Sequence, residues 1–408
     1  MRENNMLDNH AKIRELFPGT DDKAFLDSAC VSIAPSVSIE AIEEFLEDSM
    51  QCPQPSATAQ HIAMDSRRET ARIEAARLLN SSTDEIAIVE STTAGLNSIA
   101  AAMPFEDGDN ILICDLEFLQ VAIPFDNARR FRNLELRPVR HRNGMITVDD
   151  FAQACDQQTK AIVVSSVQWS NGLKLDLAGL SELARSRDIW LIVDAIQQLG
   201  VSSIDVSKLG IDAIACGGHK WLNAPFGCGF LYLNRRRFDQ LEPLTRGYLT
   251  LKDPQGGWGK YFSTPEITPF RKYDYIADAR KFETGGTSNY PGAIGLGASL
   301  KLINDLGSTA IESHVRSLSR YLIEGLKSLG ANIVTPDHDS MRAGIVTFNV
   351  NDDPGSAVRL TEYLSEKRVY VSARYTGGIG GVRVSIHFFN NNEDVERLLD
   401  AVARYNKL

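Results

Sequence analysis

The sequence predicts an α/β fold: a mostly parallel sheet flanked by helices, followed by a smaller α+β unit. Three observations carry this reading. Short β-rich apolar segments alternate with helical patterns over most of the 408 residues, as in strands joined by crossover helices. Several of those segments are almost unbroken apolar runs, as strands covered on both faces should be. After about residue 285 the alternation stops and elements follow in a different order.

Along the chain, strands are expected at 85–89, 110–114, 161–165, 190–194, 212–216 and 227–233, with a clear helical stretch at 177–187. Glycines cluster with Ser288, Asn289 and Pro291 at 285–292, which places a boundary there. Beyond it, Val315, Leu318, Leu322 and Leu326 share one helix face, and Gly330 suits the stop. Strand-like pieces follow at 344–350, 369–372 and 382–386, and a final helix runs from about 391 to 405. The expected division is an N-terminal segment (1–20) packing near the small domain, a large domain (21–284) and a small C-terminal domain (285–408).

The 43 basic and 53 acidic residues give a net charge of −10. That balance argues against nucleic acid or an anionic membrane as the main partner and leaves small anions open. With 43% hydrophobic and 24% charged residues, the chain is globular rather than disordered. No stretch approaches the roughly 18 apolar residues of a membrane span, and the polar start lacks the core of a signal peptide. A cytoplasmic protein is expected. The six cysteines, Cys30, Cys52, Cys114, Cys155, Cys216 and Cys228, show neither CxxC pairs nor metal-ligand spacing, so reduced thiols and no metal are expected.

The chemistry centres on Asp212-Ala-Ile-Ala-Cys-Gly-Gly-His219-Lys220-Trp221. A lysine where a strand gives way to small residues can reach into a cleft, or simply sit on the surface in a turn. When partly desolvated, its amine becomes a nucleophile toward an aldehyde. Upstream, Asp194 closes the apolar run Trp190-Leu-Ile-Val-Asp194, at the strand end where open α/β sheets bind ligands. Two roles are open for it, partner of a protonated pyridine nitrogen or cap of the following helix. Likewise Thr92 and Thr93 begin a helix after a strand, a position that suits either a phosphate or simple capping.

Taken together, Thr92-Thr93, Asp194…Gln197 and His219-Lys220 resemble the fold-type I enzymes of pyridoxal 5′-phosphate. More closely they resemble the class V aminotransferase-like group: cysteine desulfurases, isopenicillin N epimerase-like proteins and C–S lyases. Phe282-Glu283-Thr-Gly-Gly-Thr287 and Arg383-Val-Ser-Ile-His387-Phe-Phe-Asn390 are similar to two further family signatures. The resemblance runs from Leu26-Asp-Ser-Ala-Cys to the C-terminal helix. It implies a seven-stranded-type sheet, bound pyridoxal 5′-phosphate, a small amino-acid substrate and a homodimer with shared active sites. By the same resemblance, Lys220 holds the cofactor covalently and moves protons at the substrate's α-carbon. Asp194 faces the pyridine nitrogen and Gln197 the phenolic oxygen, while Phe118 stacks on the ring. Thr92, Thr93 and His219 bind the phosphate, with Thr287 reaching it from a second subunit. Arg383 clamps the substrate carboxylate, with Arg374 next in line, and Trp169 and Cys30 line the substrate side.

The departures narrow the reaction. Gly217 stands where many relatives have a phosphate-binding serine, so that contact is lost or passes to a backbone N–H. Phe118 replaces the histidine usual in desulfurases and cannot carry a proton. The mobile loop that brings desulfurases their cysteine corresponds to residues 374–381, Arg-Tyr-Thr-Gly-Gly-Ile-Gly-Gly: a pliable stretch without a thiol. The expected activity is β-elimination from a cysteine-derived amino acid, of the C–S lyase type. Transamination, epimerisation and a catalytically silent binding subunit are the alternatives.

Overall fold

The computed structural model describes residues 10–283, 285–353 and 355–407. Residues 1–9 of the expected N-terminal segment, and the threonine of the Phe282-to-Thr287 motif at position 284, lie outside them.

Seven strands form the main sheet: β1 Ile86–Val89, β2 Asn110–Cys114, β3 Glu135–Val139, β4 Thr159–Ser165, β5 Trp190–Asp194, β6 Ala213–Gly217 and β7 Gly229–Leu233. Their spatial order is β1-β7-β6-β5-β4-β2-β3, and only β7 runs antiparallel to its neighbours. Successive side chains point to opposite faces, so the apolar runs feed two cores. Leu112, Ile162, Val164, Leu191, Val193 and Ile214 pack on one side. Ile111, Val163, Ile192, Ala213 and Ala215 pack on the other.

The six expected strands begin and end within two residues of the observed ones. The seventh, β3, is missing from the sequence reading for a physical reason. It lies at the sheet edge, its Glu135 and Pro138 are exposed, and an edge strand tolerates charge and proline that a central strand does not.

The C-terminal part folds around a four-stranded antiparallel sheet of Asn332–Ile333, Ile345–Asn349, Ser372–Thr376 and Ile379–Ser385. Val369–Tyr370 does not join it. It pairs in parallel with Ala24–Phe25 instead, which brings the N-terminal stretch onto this part of the molecule. The helix Tyr290–Leu306 packs against the helices Ser36–Gln51 and Ala57–Leu79. A Cβ at Gly297 would lie 2.9 Å from the Ala71 amide nitrogen, so only glycine lets the two helices approach this closely.

One expectation is corrected here. The glycine-rich stretch is not a pliable loop. Ser372–Thr376 and Ile379–Ser385 form a hairpin, closed by Gly377 and Gly378 with φ of 57° and 81°. Positive φ at both turn residues is what a two-residue turn between twisted strands requires. No helix among the described residues is long and apolar enough to cross a membrane.

Candidate active site

Parallel strands β4, β5 and β6 end side by side at one edge of the main sheet, with Ser165 opposite Asp194 and Asp194 opposite Ala215. Asp194 is 3% exposed. Its carboxylate accepts one hydrogen bond from the protein, 2.9 Å from the Ile196 amide. Burial pushes this carboxyl up to about 6, against the backbone hydrogen bond and the charge of Lys220. Lys220 lies in the turn after β6. Burial lowers its pKa, with help from the Arg383 charge, while Asp194 acts in the opposite sense. Burial that disfavours the charged amine, beside a buried carboxylate, is the environment a nucleophilic lysine needs.

Phe118 precedes the helix Leu119–Ala128. Its ring centroid lies 5.9 Å from Lys220 Nζ and stands edge-on to Trp169 at 5.2 Å. Gln197 is buried, and its amide is oriented by the Trp221 indole, which donates to Oε1 at 2.7 Å. Nε2 therefore carries both protons. One goes to the Ala29 carbonyl at 3.1 Å, leaving the other for a ligand.

The helix Thr92–Ala102 opens beside this group, capped by Ser91, whose hydroxyl accepts from the Ala94 amide. Thr92 is buried and Thr93 exposed. The Gly217 amide donates to Thr92 Oγ1 at 2.8 Å, so that N–H is already committed and does not replace the missing serine contact. His219 stacks on Phe226 at 5.2 Å, and burial lowers its pKa, followed by the Lys220 charge. Thr287 is exposed and makes no hydrogen bond to Thr92, Thr93 or His219 within the chain. It lies two residues before Asn289, whose amide donates to the Gly227 carbonyl next to Phe226.

The opposite wall is the hairpin. Arg383 pairs across it with Ser372, and Arg374 lies two residues on, so both guanidinium groups leave the same face. Arg383 is 1% exposed. It donates to the Trp169 carbonyl at 3.0 Å and to Asp27 Oδ1 at 3.2 Å, while its Nε is buried without a partner. Arg374 donates to the Cys30 thiol at 3.5 Å. The structure thus gathers Lys220, Asp194, Gln197, Phe118, Trp169, Arg383, Arg374 and Cys30 about one cleft.

Two residues of this group escaped the sequence reading. Asp27, the acid partner of Arg383, lies inside the N-terminal Leu26-Asp-Ser-Ala-Cys segment, where adjacency to Cys30 is the one available signal. Glu117 is 8% exposed and accepts from the Ser165 amide, the Ser165 hydroxyl and the Gln168 amide. Its neighbour Phe118 pointed to the place but not to the carboxylate. Size does not mark the site either. A cavity of about 710 Å³ lies elsewhere, its lining mixing apolar side chains such as Leu175, Leu180 and Met341 with charged ones such as Lys174 and Asp205.

Orphaned polar atoms at the cleft fit a bound anionic, aromatic group with an attached amino acid. Asp194 has spare acceptor capacity, Gln197 a spare N–H and Arg383 a buried unpaired Nε, while Trp169 Nε1 is buried without an acceptor.

Known proteins resemble this chain over nearly its whole length. The family model described as aminotransferase class-V matches residues 24–398. A probable cysteine desulfurase of Pyrococcus abyssi (strain GE5 / Orsay) is 28% identical over 400 residues, covering 95% of each chain. Among solved structures, a lysine-to-alanine mutant of C-DES with glycine covalently linked to its PLP cofactor superposes with a TM-score of 0.85 at 23% identity. That match covers 96% of this chain and 98% of the other. The cystine C–S lyase C-DES with its reaction product cysteine persulfide gives 0.83 at 23%, covering 95% and 99%.

Proposed function

The chain belongs to the class-V aminotransferase family, and from that premise we propose that it is a pyridoxal 5′-phosphate enzyme that eliminates sulfur from a cysteine-derived amino acid. The bound cofactor supplies an electron sink for electrons released at the α-carbon. Asp194 would keep the pyridine nitrogen protonated, and the free N–H of Gln197 would donate to the phenolic oxygen. Thr92, Thr93 and His219 would hold the phosphate at a helix N-terminus, and Phe118 would supply an aromatic face for the ring. Arg383 binds the α-carboxylate through its remaining donors, while Arg374, Cys30 and Trp169 face the rest of the substrate. Lys220 would hold the cofactor covalently and, once displaced from it by the substrate's amine, its free Nζ would take the proton from the α-carbon. The Cβ–S bond then breaks and sulfur leaves as a thiolate. The released 2-aminoacrylate hydrolyses to pyruvate and ammonia. The larger part of the chain, 21–284, is read as cofactor-binding and 285–408 as substrate-clamping, in a cytoplasmic protein.

The observation that carries elimination over persulfide transfer is the hairpin. A sulfur-accepting cysteine must be accessible and mobile. Here the corresponding segment is two hydrogen-bonded strands with a two-residue turn and no thiol. Incubation with cysteine and its S-substituted derivatives should give pyruvate, ammonia and thiol or sulfide. Phe118 cannot protonate the departing sulfur, so derivatives with weakly basic leaving thiolates should react faster than cysteine. Alanine as the main product, with a persulfide trapped on Cys30 or another cysteine, would overturn the proposal.

The site is further read as shared between two subunits. Phe226 is 66% and Leu119 71% exposed near the cleft, an apolar rim that a second copy covers. Light scattering of active protein should give twice 45.0 kDa, and a mass of one chain would contradict the shared site.

A further inference from the structure

Six carboxylates are buried among the described residues: Glu74, Glu117, Asp194, Asp212, Glu283 and Asp394. Four of them sit within ion-pair distance of an arginine. Glu74 pairs with Arg77, Asp212 with Arg236 and Arg237, Glu283 with Arg68 and Arg72, and Asp394 with Arg14. Glu117 and Asp194 have no cation that close. A carboxylate buried without a cation is costly, and these two lie together, Glu117 bonded to Ser165 at the end of β4 and Asp194 opposite it on β5. Burial pushes the Glu117 carboxyl up to about 7, with Asp194 adding to the rise and the Ser165 and Gln168 hydrogen bonds opposing it.

The three hydrogen bonds have one geometric result. Glu117 adjoins Phe118, and Gln168 adjoins Trp169. The 2.7 Å bond from Gln168 Nε2 to Glu117 Oε1 therefore ties the turn bearing one aromatic ring to the turn bearing the other. The second turn is also held from behind, by the Thr347 hydroxyl on the Ser170 carbonyl. The Trp169 carbonyl in turn receives Arg383.

We propose that Glu117 is a positioning residue. Its carboxylate locks the Phe118 turn to the Trp169 turn, and so fixes the aromatic pair beside Lys220 and the Trp169 carbonyl on Arg383. This rests on reading the cleft as the active site. It gives that site a residue that touches neither cofactor nor substrate and acts on substrate binding through its neighbours.

The test uses the holoenzyme, three single variants and one double variant, each with a Trp169→Phe reference. Glu117→Ala leaves the Ser165 and Gln168 donors unpaired and frees the two turns. KM should rise at least about fivefold with a smaller change in kcat, and Trp169 emission, taken as the difference from Trp169→Phe in each background, should become more quenchable by acrylamide. Glu117→Gln keeps an oxygen for the Ser165 and Gln168 N–H groups, while the Ser165 hydroxyl turns to accept from the new amide. It should remain within about twofold of wild type. Gln168→Ala breaks only the tie between turns and should reproduce the KM effect. Combined with Glu117→Ala it should add little, since the two changes remove one interaction. If Glu117→Ala does not fold, Gln168→Ala carries the test alone. Wild-type KM and Trp169 quenching in the variants that fold would overturn the proposal, as would Glu117→Gln as impaired as Glu117→Ala. The quenching readout needs neither cofactor nor substrate. A wild-type protein without cofactor absorbance would sink the active-site reading while leaving the tie between turns testable.

Discussion

Lys220→Ala should yield folded protein with no covalently held cofactor and with turnover reduced by at least about 10²–10⁴-fold, the range for loss of one positioned acid–base group. Lys220 is placed to be that group by burial, by Asp194 across the cleft and by Phe118 5.9 Å from its amine. The fold should tolerate the change, because the amine makes no hydrogen bond or ion pair with the protein among the described residues, and its removal relieves a burial cost. Visible absorbance of the purified protein, before and after hydroxylamine, reports the covalent link. Product formation reports the chemistry. A Lys220→Ala protein that keeps its hydroxylamine-sensitive absorbance, or turns over at the wild-type rate, would show that another amine does the work.

The second large effect belongs to Arg383. Arg383→Ala removes the donors proposed for the substrate carboxylate and strips Asp27 of its cation. The kcat/KM should fall at least about tenfold, roughly 1.4 kcal/mol, with cofactor absorbance intact. Deleting one partner of this part-buried ion pair also costs stability, by less than the roughly 3–5 kcal/mol of a fully buried pair, so thermal unfolding should be followed in parallel. Arg383→Lys separates the two effects. It keeps a charge for Asp27 but loses the planar fork, so stability should recover further than kcat/KM does. Unchanged kinetics in a folded Arg383→Ala protein would pass the carboxylate to Arg374, on the same face of the hairpin.

The strands at the sheet centre were legible because burial on both faces leaves a nearly pure apolar record. The edge strand β3 was not, because half of it faces water. Lys220 and Asp194 could be singled out because Asp194 closes one apolar strand and Lys220 lies three residues beyond another, and the chemistry of strand ends is local. Glu117 and Asp27 could not. A lone acid in a turn says nothing until its partners, 48 residues away at Ser165 and 356 residues away at Arg383, are in place. The glycine run misled for a related reason. Glycine at 377 and 378 serves a rigid turn as readily as a flexible loop, and only the pairing of Arg374 with Gly381 and of Thr376 with Ile379 tells which.

The pairing of Ala24–Phe25 with Val369–Tyr370 makes the cleft a late product of synthesis. Asp27 and Cys30 leave the ribosome well over 300 residues before their partners Arg383 and Arg374, 356 and 344 residues further along the chain. Asn390 and Asp394 likewise anchor Phe25 and Arg14 from near the C-terminal end. The seven-stranded sheet is complete by Leu233 and can assemble while translation continues. The N-terminal stretch must wait, unpaired, for about 340 more residues, roughly the 17–68 s that synthesis takes at 5–20 residues per second. A nascent chain can therefore hold the sheet before the substrate cleft exists, with the strand Ala24–Phe25 open to chaperones and proteases until Val369–Tyr370 is made.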